Sequence, residues 1–423
     1  MSPELEKPRF TVADEVKFDM LAAISDLGDH SKQYRAISRN LVSDTLTAPT
    51  KEMYAYALQA SLGDDVYFEP TADSLETHIA RLTGKEAAVF MPSGTMSNQI
   101  ALRTHLVQPP YSVLCDYRSH INKYEAGGTA FHSGAHTVAV IPSNRHHLTL
   151  PDVKQFIIQG SDIHLAPTHV IALENTLNGA IFPQEEIIKI SEFARKEGIK
   201  MHLDGARLWH VATETGTSMK ELCDPFDSIS LCFSKGLGKC DGHVRIHRSW
   251  YYLGAPVGSC VVGTKDFIAR ARWYRKLFGG GMRQIGLLVG CAAYALNHNF
   301  PKLPRVHALA HKLEVGLREL GAQITSAGTC MVFFDPTPLG IEYDEISERA
   351  ANLPEPVTVR GSRLVIHIQT EDQTVDDFLA LVKTVAKEKK AAGFIPSPPT
   401  EGKPTTTGSI YQEIHRRQKP KSQ

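Results

Sequence analysis

Four short stretches carry side chains whose types suit carbonyl–amine chemistry. Pro92-Ser93-Gly94-Thr95 follows the apolar run AAVFM and opens a helical pattern near Ser97. Small residues at a strand-to-helix turn offer backbone N–H groups and hydroxyls to an anion such as phosphate; the same residues also serve as a plain N-cap. In HLDGARLWH, Asp204 sits just past an apolar run and Arg207 follows three residues on. An acid at a strand's carboxyl end faces the crevice where α/β sheets bind ligands. There it can hold a protonated ring nitrogen, and an arginine can hold an anionic oxygen bidentately; an ordinary Asp–Arg surface or capping pair is the alternative. Lys235, in SISLCFSKGLG, closes another apolar run and is followed by small residues that let the backbone turn sharply. Lysine forms Schiff bases with carbonyl compounds, and burial lowers its pKa toward nucleophilicity; taken alone it reads more readily as a solvated lysine. In RSHINKYEAGG, His120 and Glu125 precede a glycine pair. A histidine there can stack on a planar ring or move protons, or be structural.

The order of these pieces narrows the chemistry. A phosphate-type turn, a histidine platform, Asp-x-x-Arg and then a lysine supply one partner each for a phosphate, a ring, a pyridinium nitrogen and an aldehyde. That set argues for pyridoxal phosphate. A nicotinamide cofactor fits poorly, because no G-x-G-x-x-G follows a first strand.

These residues need strand ends to stand on. From Asn40 onward short apolar runs (AAVFMP, HVIALEN, KMHLDG, SISLCFS, GSCVVG) alternate with helical patterns, which predicts an α/β fold with a mainly parallel sheet covered on both faces. Residues 1–39 read as an N-terminal extension with one helix, 40–298 as the large sheet domain, 299–394 as a small C-terminal α+β domain, and 395–423 as a disordered tail rich in Pro, Thr, Gly and charge. Composition fits an ordinary soluble globular chain: 423 residues with 46 basic and 46 acidic side chains. That balance gives no electrostatic reason to expect nucleic-acid or anionic-membrane binding. Seven scattered cysteines without a CxxC pair, no apolar leader and no spanning run predict a cytoplasmic protein.

As a set, VSDTLTAPTKEMYAY, GDDVY, LTGKEAAVFMPSGTMSNQIAL, SHINKYEAGG, IALENTLNG, HLDGARLWH, DSISLCFSKGLG, APVGS and FGGGMRQIG resemble the L-threonine aldolases of the β-eliminating lyase group, the fungal low-specificity branch in particular. The resemblance implies a fold-type I pyridoxal-phosphate lyase that cleaves L-threonine and L-allo-threonine to glycine and acetaldehyde. It implies a homotetramer with active sites shared across a dimer interface. Carried onto this chain, it gives Lys235 as the Schiff-base lysine and Asp204 as the ring-nitrogen partner. Ser93, Gly94 and Thr95 become the phosphate seat, and His120 a ring-stacking residue near the substrate hydroxyl. Arg207 and Arg363 (in SRLVIHIQ) become a carboxylate clamp with Ser43 nearby. Tyr67, Glu125 and Arg283 rank as subsidiary site residues, and no metal is implied.

Two departures from the family pattern stand out. Val42 precedes Ser43 where relatives have Arg, and Phe68 follows Tyr67 where they have Gly. Some relatives on this scaffold are alanine racemases, which need the same carbanion but leave Cβ intact; that is the alternative activity. A third departure is larger. SKGLG should run into APVGS, but the sixteen residues 239–254, KCDGHVRIHRSWYYLG, intervene. A stacking, phosphate-contacting loop and a zinc site from Cys240, Asp241, His243 and His247 are weaker readings of it than a retained intron. Gly-Lys-Cys can encode a GTAAGT donor and Leu-Gly a TAG acceptor, and excision restores SKGLGAPVGS in frame. If translated, the segment leaves the chain four residues after Lys235, so an inactive family member is a further alternative.

Overall fold

The apolar runs assemble into one seven-stranded sheet in the computed structural model, which describes residues 30–235 and 254–396. Its strands are β1 (Ala87–Met91), β2 (Ser112–Asp116), β3 (His136–Val140), β4 (Thr168–Glu174), β5 (Lys200–Asp204), β6 (Ser228–Cys232) and β7 (Ser259–Gly263), in spatial order β1-β7-β6-β5-β4-β2-β3. Strand β7 runs antiparallel to both β1 and β6, and every other pairing is parallel. Strands β2, β6 and β7 are buried at every position, as strands covered on both faces must be. Register aligns the carboxyl ends: Glu174 of β4 lies opposite Asp204 of β5, and Asp204 opposite Ser230 of β6. A crevice at this edge therefore collects residues far apart in sequence.

After the helix Leu303–Leu320, strands β8 (Gln323–Gly328), β9 (Met331–Asp335) and β10 (Arg363–Val365) form an antiparallel sheet in order β10-β9-β8, and the long helix Asp372–Ala391 follows. This lobe has its own apolar cluster, including Leu313, Phe334, Val357 and Phe378, separate from the cluster around Phe90, Leu203, Trp209 and Leu231 beneath the large sheet.

The described end of the expected N-terminal extension is docked on this lobe. Residues Ser31–Ser38 form a helix; Arg39, 2% exposed, ion-pairs Asp377 at 2.6 Å and donates to the carbonyls of Glu355 and Pro356. Leu41 joins the lobe's core and exchanges backbone hydrogen bonds with Thr358 and Val365. Its sequence hid this because these contacts are largely polar, made by backbone and by Arg35, Ser38 and Arg39, not by an apolar stripe. Most of the expected tail, and the inserted segment up to residue 253, lie outside the described residues. The residues flanking that segment meet: a Cβ on Gly254 would lie 3.5 Å from the carbonyl of Ser234, and the Ala255 N–H donates to Phe233 O at 3.1 Å.

Candidate active site

At the carboxyl edge of the large sheet a cavity of about 300 Å³ is lined by Ser93, Gly94, Thr95, Asn98, His120, Asp204 and Lys235, with Cys232, Pro256 and Val257 completing its wall. The phosphate-type turn forms because Ser93 adopts extended backbone and its hydroxyl accepts from the Met96 N–H, capping the helix Gly94–His105. Gly94 has no room for a side chain: a Cβ would stand 2.6 Å from the Cys232 sulfur. Glycine thus lets the first helical turn, with its free N–H groups, press against β6 at the edge of the cavity.

Asp204 is buried, and its two oxygens are separately held. Oδ1 accepts from the Ala206 N–H at 3.0 Å and Oδ2 from Asn98 Nδ2 at 2.7 Å. Burial would raise its pKa, but Lys235, His120 and these donors outweigh it and hold the carboxyl below its ordinary value. Glu174 beside it goes the other way: burial and the Asp204 charge push it up to about 8. One carboxylate is therefore kept charged and its neighbour kept neutral, and Glu174 accepts the His120 backbone N–H at 2.7 Å.

His120 lines the cavity with Nδ1 on Glu125 Oε1 at 2.7 Å. Burial lowers its pKa, yet the hydrogen bond to Glu125 and the Asp204 charge raise it above the ordinary histidine value. Glu125 is itself gripped by Asn98 at 2.9 Å and Gln99 at 2.5 Å. Lys235 corrects an expectation. Burial alone would lower its pKa, but the negative charges it faces, Cys232, Asp204 and Asp44, raise it above the usual lysine value. Cys232 itself is pushed up by burial, so near neutral pH the two carboxylates supply the attraction. Lys235 is held as an ammonium until something else neutralises those charges.

The expected clamp residues converge on one segment, Val42–Asp44. Arg207 grips Asp44 bidentately, Nη2 to Oδ1 at 2.6 Å and Nε to Oδ2 at 2.8 Å. Arg363 Nη2 donates to Val42 O at 3.0 Å, and Ser43 lies between, its hydroxyl accepting from the Thr45 N–H. Arg207 is not among the residues lining the cavity, but its charge and that of Asp44 both act on Lys235. Tyr67 and Arg283 are elsewhere: Tyr67 is 85% exposed, and Arg283 pairs with Asp64 at 3.0 Å on the surface. The residues missed from sequence are Asn98, Asp44 and Glu174. Glu174 carried a usable signal, since it ends an apolar run as Asp204 does; Asn98 and Asp44 carried none.

The sheet order, the carboxyl-edge cavity and the lysine facing a buried Asp define an α/β enzyme of the fold-type I architecture. The chain belongs to the β-eliminating lyase family, whose model matches residues 40–249 and 251–336. It is 39% identical over 373 residues to a probable low-specificity L-threonine aldolase of Schizosaccharomyces pombe, covering 88% of this chain and 93% of the relative. An alanine racemase of Cochliobolus carbonum is 34% identical over 356 residues, covering 82% and 87%. Among solved structures, threonine aldolase of Leishmania major superposes with a TM-score of 0.67 at 17% identity, over 82% of this chain and 99% of that one; that likeness speaks to fold. Among the described residues no helix is long and apolar enough to cross a membrane.

Proposed function

We propose that this chain is a pyridoxal-phosphate-dependent lyase that cleaves L-threonine and related β-hydroxy-α-amino acids to glycine and an aldehyde. The observation that carries the reading is the convergence of Lys235, Asp204, His120 and the capped helix start at Ser93–Thr95 on one cavity. The residues fit the cofactor. A helix N-terminus with a glycine that only a bare backbone can occupy suits a phosphate, a buried ionised carboxylate suits a protonated ring nitrogen, and an amine suits an aldehyde. When bound, pyridoxal phosphate supplies an electron sink for the carbanion left at Cα.

The protein's own residues do the rest. Asp204 would hold the positive charge of a protonated ring nitrogen, and Lys235 would supply the amine that anchors the cofactor through its aldehyde. Arg207, Arg363 and Ser43, which meet at Val42–Asp44, are the groups assigned to the substrate carboxylate, Arg207 through the N–H groups that its pair with Asp44 leaves free, and would so orient the Cα–Cβ bond. With Nδ1 committed to Glu125, His120 Nε2 is the nitrogen left to take the β-hydroxyl proton, directly or through a water. As that proton leaves, the Cα–Cβ bond breaks, the aldehyde departs, and Cα gains a proton to give glycine. Racemisation would use the same residues but return a proton to Cα from the opposite face with Cβ intact. The expected setting is a cytoplasmic homotetramer in amino-acid metabolism. Tyr67, Phe68, Leu58 and Leu62 are among the strongly exposed apolar side chains, and a subunit contact through them would bring Tyr67 and Arg283 to a neighbouring site.

The test is a paired assay. L-Threonine and L-alanine are incubated separately with the cofactor-loaded protein, and acetaldehyde and D-alanine are measured. Acetaldehyde is expected; D-alanine without acetaldehyde would replace this reading with the racemase. The assay is run with and without residues 239–254. The bond from the Ala255 N–H to Phe233 O at 3.1 Å, between residues on either side of the segment, supports its reading as an interruption that can be removed.

A further inference from the structure

A line of hydrogen bonds leaves Asp204 and runs back through the sheet. Asn98 Nδ2 reaches Asp204 Oδ2 at 2.7 Å and Glu125 Oε1 at 2.9 Å. On its other side Asn98 Oδ1 meets His202 Nε2 at 3.1 Å, His202 Nδ1 meets Ser228 Oγ at 2.9 Å, and Ser228 Oγ meets His105 Nε2 at 2.8 Å. Asn98, His202 and Ser228 are at most 1% exposed, so no water competes for these groups. The His105 ring is packed 4.6 Å from that of Phe267.

Donor and acceptor chemistry allows one direction only. Asp204 is held ionised and can only accept, so Asn98 presents its NH₂ to the carboxylates and its carbonyl to His202. That carbonyl can only accept, so His202 carries its proton on Nε2. Burial keeps His202 neutral, its pKa pushed down to about 4, which leaves Nδ1 as an acceptor for the Ser228 hydroxyl. Ser228 must then accept from His105, whose pKa burial pushes down to about 3; it too is neutral, with its proton on Nε2. Every bond donates toward Asp204. Hydrogen-bond chains polarised in one sense strengthen one another in a dry interior.

We propose that Asn98, His202 and Ser228 form a one-way relay that stabilises the Asp204 carboxylate and so sets the strength of its ion pair with the cofactor's ring nitrogen. This rests on the reading that pyridoxal phosphate binds here. Asn98, which lines the cavity, is the relay's contact with the site; His202 and Ser228 are positioning residues that act through it. A His202→Leu substitution removes both ends of the imidazole's bonding and leaves the buried Asn98 carbonyl without its donor, so the amide's bond to Asp204 is no longer reinforced from behind. His202→Gln keeps a donor and an acceptor on one planar group.

The test measures binding to the apoprotein, not turnover, using two probes: pyridoxal phosphate, and its 1-deaza analogue, in which carbon replaces the ring nitrogen. For His202→Leu, affinity for pyridoxal phosphate falls on the order of tenfold, the worth of a hydrogen bond acting on a buried charge, while affinity for the analogue is unchanged. His202→Gln restores most of the loss, and Ser228→Ala shows a smaller loss in the same sense. Equal weakening of both probes in all three variants, or no weakening of either, overturns the relay. If His202→Leu does not fold, Ser228→Ala alone decides by the same comparison. Failure of the unsubstituted protein to bind either probe refutes the cofactor reading instead.

Discussion

Replacing Asp44 by Asn should cost more than any other single polar change near the site. Its carboxylate is fully buried and grips Arg207, whose side chain is 14% exposed, through two hydrogen bonds of 2.6 and 2.8 Å. Asp44→Asn keeps the shape but leaves a buried guanidinium uncompensated, with the Lys235 ammonium nearby adding to the excess charge. Breaking a buried pair by removing one partner costs about 3–5 kcal/mol. With roughly 350 ordered residues and about 2.1 cal/mol/K of unfolding entropy per residue, that is a drop in Tm of about 4–7 °C. Thermal melts of the apoprotein measure it. The double variant Asp44→Leu/Arg207→Met removes both charges and should recover most of the loss, because well-packed apolar replacements of buried pairs are often neutral. The sign with pH is fixed as well. Arg207 holds the Asp44 carboxyl well below its ordinary 3.8, against the opposing effect of burial. Its contribution is therefore fully present above about pH 4 and is lost as pH falls further, where the melts of the two proteins should draw together. An Asp44→Asn protein within 1 °C (about) of the unsubstituted one, or a double variant less stable than the single, would refute the pairing as a major term.

Lys235→Ala should abolish the absorbance of lysine-bound cofactor; an unchanged spectrum would overturn its assignment. Gly94→Ala places a Cβ 2.6 Å from the Cys232 sulfur and should weaken cofactor binding about tenfold or more as the helix start shifts, read by equilibrium titration; unaltered affinity would mean the turn does not seat the phosphate. Glu125→Gln removes a partner that raises the His120 pKa, so the acid limb of the pH–rate profile should move to lower pH, and a fixed limb would take the proton from another group. Deleting residues 239–254 should raise turnover by up to about a hundredfold if the segment displaces Lys235 by about 1 Å; equal rates would show that it leaves the lysine in place.

The fold was readable at most of the strands buried on both faces, β2 (SVLCD) being the exception. AAVFM, VIALE, MHLD, SISLC and SCVVG are near-continuous apolar runs because neighbours cover both their sides. Strands β2 and β3 were not singled out. HTVAV of β3 is an edge strand, buried only at Val140, so covering it on one side asked little of its sequence. The site divides along a different line. Residues that line the cavity, Lys235, Asp204, His120 and Ser93–Thr95, stand at strand ends or at a helix start, where punctuation of the apolar pattern marks them. Those that tune the ligand-facing groups are embedded in the pattern itself: Asn98 and Gln99 lie in a helix, and His202 lies inside β5.

For such residues pattern carries no information, because what matters is the partner across the fold. His202 lies on β5 among buried apolar neighbours, and read along the chain it is only a polar interruption. Its buried position makes sense only once Asn98 and Ser228 are seen to satisfy both ring nitrogens. The same holds for the acids. Sequence puts Glu174 and Asp204 at equivalent strand ends, but the folded surroundings give them opposite protonation, and only the ionised one accepts from the Asn98 amide and the Ala206 N–H. The division of labour between two similar carboxyls is thus a property of their surroundings, and it makes Asp204, not Glu174, the group able to hold a cation.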